Sequence, residues 1–119
     1  MRNLLIDLRT TLGEVCPTFL QVPAKTPHPY ITIEPGQSLQ GLPWGPLIVT
    51  LTIKIWSRYA GTREILKLAK SVETLLQKYA PATFEVSLKM QESTLVLLSD
   101  SKTRVHSFHL KARLPGWSQ

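Results

Sequence analysis

Between Leu47 and Ser57 apolar and polar positions alternate. Leu47, Val49, Leu51, Ile53 and Ile55 fall on one side; Ile48, Thr50, Thr52, Lys54 and Trp56 fall on the other. A period of two predicts a strand whose second face is polar at its centre, so only one side of its sheet belongs to a core. Helices are expected on that side, with the other left to solvent or a partner. Residues 62–79 supply one. Ile65, Leu68, Ala69, Val72, Leu75, Leu76 and Tyr79 make a continuous stripe at spacings of three and four, with Arg63, Lys67, Lys70 and Lys78 largely off it. Gly61 or Thr62 is placed to cap the start, Glu64 suits the positive end of the helix dipole, and Pro81 ends the run. A second, shorter helix is predicted over residues 4–12, where the spacing of Leu4, Leu5, Leu8, Leu12 and Val15 defines one face, Asn3 can cap the start and Gly13 offers a stop.

The remaining segments read as strands and loops. Residues 16–29 hold Pro17, Pro23, Pro27 and Pro29, which predicts an extended path without regular structure. Residues 30–34 alternate and are β-branched, a strand expected to stop at Pro35-Gly36. A loop rich in glycine and proline follows over residues 36–46, and it carries the apolar Leu39, Leu42 and Trp44. Loops of that length are more often functional than decorative. After the main helix, Phe84, Val86, Leu88 and Met90 alternate with polar residues. A short apolar run at 94–98 predicts a further strand, and a final one places Phe108, Leu110 and Ala112 inward, with Ser107, His109, Lys111 and Arg113 outward. The expected fold is α+β: a two-layer sandwich with a mainly antiparallel sheet of four to five strands and two helices on one face, in the order α-β-β-α-β-β-β.

Composition narrows the class without fixing the function. The chain has 119 residues, suiting one domain over residues 1–119, with 43% hydrophobic and 18% charged residues. Its apolar runs fall short of the ~20 residues of a membrane span, and the first twelve residues, with Asp7 inside them, do not read as a secretory leader. The single Cys16 needs no oxidising compartment. A net charge of +6 suits contact with nucleic acid or an acidic protein surface, although the scatter of Lys and Arg is also that of an ordinary solvated surface.

Catalytic patterns are absent from the sequence. His106 and His109 are three apart on a strand and so face opposite ways, which rules out a shared metal ion; His28 lies apart in the proline-rich segment. Cys16 before a proline has no adjacent base and reads as a small buried apolar residue. The glycines at 36, 41 and 45 are interrupted by prolines and precede a strand, unlike a phosphate-binding loop. No catalytic residue, metal ion or cofactor is expected.

The aromatic residues are more informative. Tryptophan commonly anchors interfaces because one side chain covers much area with little loss of entropy. Leu39, Leu42 and Trp44 in the loop, Ile48 and Trp56 on the polar strand face, and Trp117 near the C-terminus are candidate protein contacts. Trp56, followed directly by a turn, is better explained by folding onto its own domain edge, whereas Trp44 reads as an interface residue. Lys54, Lys89, Lys111 and Arg113 are a candidate basic surface. A single-strand binder would interleave such cations with aromatics, but here threonines and serines occupy the middle.

Several local patterns together resemble the tail terminator family of long-tailed bacteriophages, also called tail completion or head-to-tail joining proteins. They are Pro29-Tyr30-Ile31-Thr32-Ile33, the strand ending Ile53-Lys54-Ile55-Trp56-Ser57, the lead-in Tyr59-Ala60-Gly61-Thr62-Arg63-Glu64, the helix pairs Leu68-Ala69 and Leu75-Leu76, and the closing run from Val105 to Arg113. The segment Leu42-Pro43-Trp44-Gly45-Pro46 does not match the family. The resemblance implies a virion protein assembled in a host bacterial cytoplasm. It implies a homohexameric ring on the head-proximal end of the tail tube, ending polymerisation of the tail tube protein and receiving the head-tail connector or stopper. DNA would pass through its lumen. The alternative is a basic single-domain nucleic-acid-binding protein.

Overall fold

The computed structural model describes residues 2–40, 47–58, 62–79, 86–98 and 102–114. Along the chain these form α1 (Arg2–Leu12), β1 (Thr18–Phe19), β2 (Tyr30–Gln40), β3 (Leu47–Ser57), α2 (Arg63–Gln77), β4 (Ser87–Leu97) and β5 (Arg104–Leu114). The five strands make one sheet in the order β1-β2-β3-β5-β4, antiparallel except for the β1–β2 pair. The fold is the expected α+β sandwich, with one strand more before α2 and one fewer after it.

Both helices pack on one face because their apolar stripes and the inward positions of the strands can be dried only against each other. Leu4, Leu8 and Leu12 of α1 and Ile65, Ala69, Val72 and Leu76 of α2 are buried in one cluster with Ile31, Ile33, Val49, Leu51, Ile53, Ile55, Phe108 and Leu110. Each large side chain fully removed from water contributes about 1.5–3 kcal/mol. The Tyr79 hydroxyl donates to the Asp7 carboxylate and ties the end of α2 to α1. Burial, that hydrogen bond and the Asp7 charge together raise the Tyr79 pKa well above its ordinary range, so the phenol keeps its proton. Thr62 stands at the start of α2 but makes no side-chain capping bond. Glu64 instead accepts a hydrogen bond from Ser57 at 2.7 Å, joining the end of β3 to the first turn of α2.

Three segments differ from expectation. The proline-rich stretch contains β1, where Thr18 and Phe19 pair with Ile31 and Thr32. Pro17 lacks a donor but keeps its carbonyl, which accepts from Ile31 N–H at 2.8 Å. β2 runs through Pro35 instead of stopping there. Because the Ile31 N–H points to the outer side of the sheet, alternation turns the Pro35 nitrogen outward too, where its missing hydrogen breaks no bond to β3. The pairing slips just beyond, between Pro35 and Ser38, so residues 36–40 belong to a strand and not to a loop. Gly36 lies in that bulge, and a Cβ there would collide with the Thr50 hydroxyl.

The two strands expected around residues 84–91 and 94–98 are one strand. β4 pairs with β5 throughout, and its register shifts between Met90 and Glu92. The extra residue, Gln91, reverses the alternation: Leu88 and Met90 are followed on the same face by Ser93, Leu95 and Leu97. That reversal reads as an interruption in the sequence and is only a bulge in the sheet. Phe84 lies outside the described residues.

Candidate protein interface

The face of the sheet away from the helices has two unlike ends, set by strand alternation. At one end Tyr30 of β2 stands opposite Trp56 of β3. Their rings stack with centroids 6.0 Å apart; His28 lies 4.9 Å from Tyr30, and Phe19 meets it edge-on at 6.2 Å. Trp56 Nε1–H donates to the Thr32 hydroxyl at 2.9 Å. The Lys54 ammonium lies 5.9 Å from the Trp56 ring centroid and pairs with Glu34 at 3.3 Å. Thr32, Val105 and Ser107 are accordingly buried although they are on the helix-free face. Ser107 was expected outward; it has that direction but is covered. Trp56 is therefore held by its own domain, half-buried, with its polar edge satisfied.

The other end is bare and basic. Register places Lys89 opposite Lys111, and Arg113 between Ile48 and Ser87. Lys89, Lys111 and Arg113 are exposed, and among the described residues none has an acidic partner. Like charges directly opposed on a sheet repel one another. An anion laid across this end would relieve that repulsion. Between the two ends, Thr52 is hydrogen-bonded to the His109 ring at 3.3 Å.

The sequence candidates thus divide. Lys54, Lys89, Lys111 and Arg113 do share one face, but Lys54 is engaged with Glu34 and Trp56 at the opposite end from the other three. Ile48 is half-buried beside Arg113. Leu39 belongs to β2, opposite Ile48. Leu42, Trp44 and Trp117 lie outside the described residues. The sequence did not single out Leu95, Val96 and Leu97, which are 38%, 49% and 51% exposed on β4. Their composition is that of a core strand, and only the reach of the helices decides that they stay uncovered.

The titratable groups among the described residues offer little chemistry. Burial, with the Glu64 charge adding to it, pushes the Cys16 thiol up to about 11, so it is protonated at neutral pH and a poor nucleophile. His106 is on the core side, 4.7 Å from the Phe108 ring, and its Nδ1 is buried without a hydrogen-bond partner among the described residues. Burial lowers its pKa, against the pull of Glu73. Among the described residues no three His, Cys, Asp or Glu side chains gather to hold a metal ion. An open groove of about 500 Å³ lies between the end of α1 and α2, lined by Val15 and Leu75 with Glu14, Lys67 and Lys70. No described helix is long and apolar enough to cross a membrane.

No protein-family model matches the chain, and no curated protein matches it. Among solved structures, it is similar to a chain in the virion of a native gene transfer agent particle, with a TM-score of 0.66 and 15% identity. The match covers 91% of this chain and 84% of that one. At that identity the likeness is one of fold.

Proposed function

We propose that the chain is a structural subunit of a phage-type virion, a tail terminator that caps the head-proximal end of the tail tube as a homohexameric ring. One observation carries this: a fold shared over 91% of the chain with a virion component. The residue-level resemblance to the terminator family supports it. Its most specific stretch, Trp56-Ser57 followed by Thr62-x-Glu64, coincides with a physical joint, the Ser57–Glu64 hydrogen bond between β3 and α2. A ring uses two different patches per subunit, and a sheet with helices on one face leaves edges, loops and an open face to supply them. The tail tube protein and the head-tail connector are the partners in this reading, and no enzymatic step is assigned.

Adding the protein to polymerising tail tube protein should shorten the tubes and leave a ring at one end in electron micrographs. Tubes of unchanged length with bare ends would overturn the proposal. Trp44→Ala should weaken capping with the circular dichroism spectrum intact; full capping by that variant would remove residue 44 from the contact.

A second reading rests on Lys89, Lys111 and Arg113. Three neighbouring cations with no acidic partner among the described residues suit phosphate, either in DNA crossing a ring or in nucleic acid bound by the free chain. Steep loss of binding with added salt, by a monomer that does not cap tubes, would favour the free-chain form.

A further inference from the structure

The two edges of the sheet are built differently. The outer side of β2 is covered at Ile31 and Thr32 by β1, lacks a donor at Pro35 and bulges before Ser38. Short cover, proline and bulges are the usual devices that stop one sheet from adding to another. The outer side of β4 has none of them after its bulge. From Ser93 to Leu97 it is an uncharged, β-prone strand, and among the described residues nothing pairs with it or lies over it. α2 packs on β3 and β5, and α1 on β1 and β2. The helix layer therefore stops short of Leu95 and Leu97, while Val96 is exposed on the opposite face.

We infer that this edge is covered by a second copy of the same chain, β4 lying antiparallel to β4 of its partner about a two-fold axis through the edge. Three observations select that occupant. A head-to-tail sheet would need the outer side of β2, which is guarded, whereas β4 against β4 needs only the bare edge. A two-fold axis perpendicular to the sheet makes the pairing antiparallel and self-complementary. Segment 93–97 also carries no charge, so two chains of net charge +6 can meet there without opposed cations. With Leu95 at the axis, Leu95 faces its own counterpart, Thr94 faces Val96, and Ser93 faces Leu97. The leucines of both copies then form one apolar strip beside the helix layers. The dimer is a state of the free chain, distinct from the ring contact, and does not depend on the tail reading.

Light scattering across a concentration series should show a monomer–dimer equilibrium. Leu97→Lys should weaken it by about 10- to 100-fold, because an apolar contact is lost and an ammonium would have to be dried. At concentrations where both chains are monomeric its melting temperature should match that of the wild type, since Leu97 is half-exposed. Under mild oxidation Leu95→Cys should give a covalent dimer, and Leu66→Cys, on the exposed side of α2, should not. A wild type monomeric at millimolar concentration, a dimer indifferent to Leu97→Lys, or β4-dependent species larger than two would each overturn the inference. Tube capping is scored separately: capping by a chain that never dimerises sinks this inference alone, while a Leu97→Lys-sensitive dimer that never caps upholds it and sinks the tail reading.

Discussion

The two faces of the sheet are made by the same strands, yet they are held by different forces. On the helix side of β3 and β5, Val49, Leu51, Ile53, Ile55, Phe108, Leu110 and Ala112 are almost fully buried and fill one cluster. On the other side, residues one position away either cover each other, as Tyr30 and Trp56 do, or stand in water, as Lys111 and Arg113 do. A one-residue step therefore separates side chains that hold the domain together from side chains free to serve something else. Stability should depend on the first set and tolerate change in the second.

The largest effect should come from the core. Phe108→Ala leaves a cavity in the core cluster and should cost about 3–5 kcal/mol, read from urea unfolding. Gly36→Val is the next largest. It places a Cβ against the Thr50 hydroxyl at the β2 bulge and should cost about 1–3 kcal/mol by overpacking, measured the same way. Trp56→Phe keeps a ring against Tyr30 but gives up the bond to Thr32, for about 0.5–1.5 kcal/mol. A loss as large as that of Phe108→Ala would mean that the aromatic end is a second core. Smallest is Lys89→Gln, which should change stability by no more than about 0.5 kcal/mol and raise it slightly by removing a cation opposite Lys111.

His106 extends the comparison to pH. Its pKa in the folded chain lies below the ordinary 6.5, so the unfolded chain takes up the proton first as pH falls. Its contribution to stability is fully present above pH 6.5 and is lost as pH drops through that value toward the folded pKa. The melting temperature should fall over that window in the wild type and fall less in His106→Gln.

Alternation and helical stripes were legible because burial repeats at fixed periods. β3 was read to the residue, and the stripe of α2 matches the buried set Ile65, Ala69, Val72 and Leu76. Two of the three errors share one cause. Pro35 and Gln91 break local periodicity, but a ladder tolerates a missing outward donor or an inserted residue where a neighbouring strand keeps the pairing. The open face was legible as polar, yet its division was not: which cation meets Glu34 and which meets another lysine depends on register across β2, β3, β5 and β4. The exposure of Leu95, Val96 and Leu97 depends on where helices end in space, and local composition carries no trace of that.

The placement of β5 has a consequence for how the chain comes to be folded. β4 joins the sheet only through β5, which lies between it and β3. During synthesis β4 therefore emerges with no strand to accept it, and its uncharged half stays open to wrong partners until β5 closes the gap. The pairing of β5 with β3, across α2 and β4, is non-local, and such pairing slows folding and prolongs exposure. A nascent chain halted before residue 104 should be highly sensitive to protease in β4, and release of the last strand should protect it in a single step.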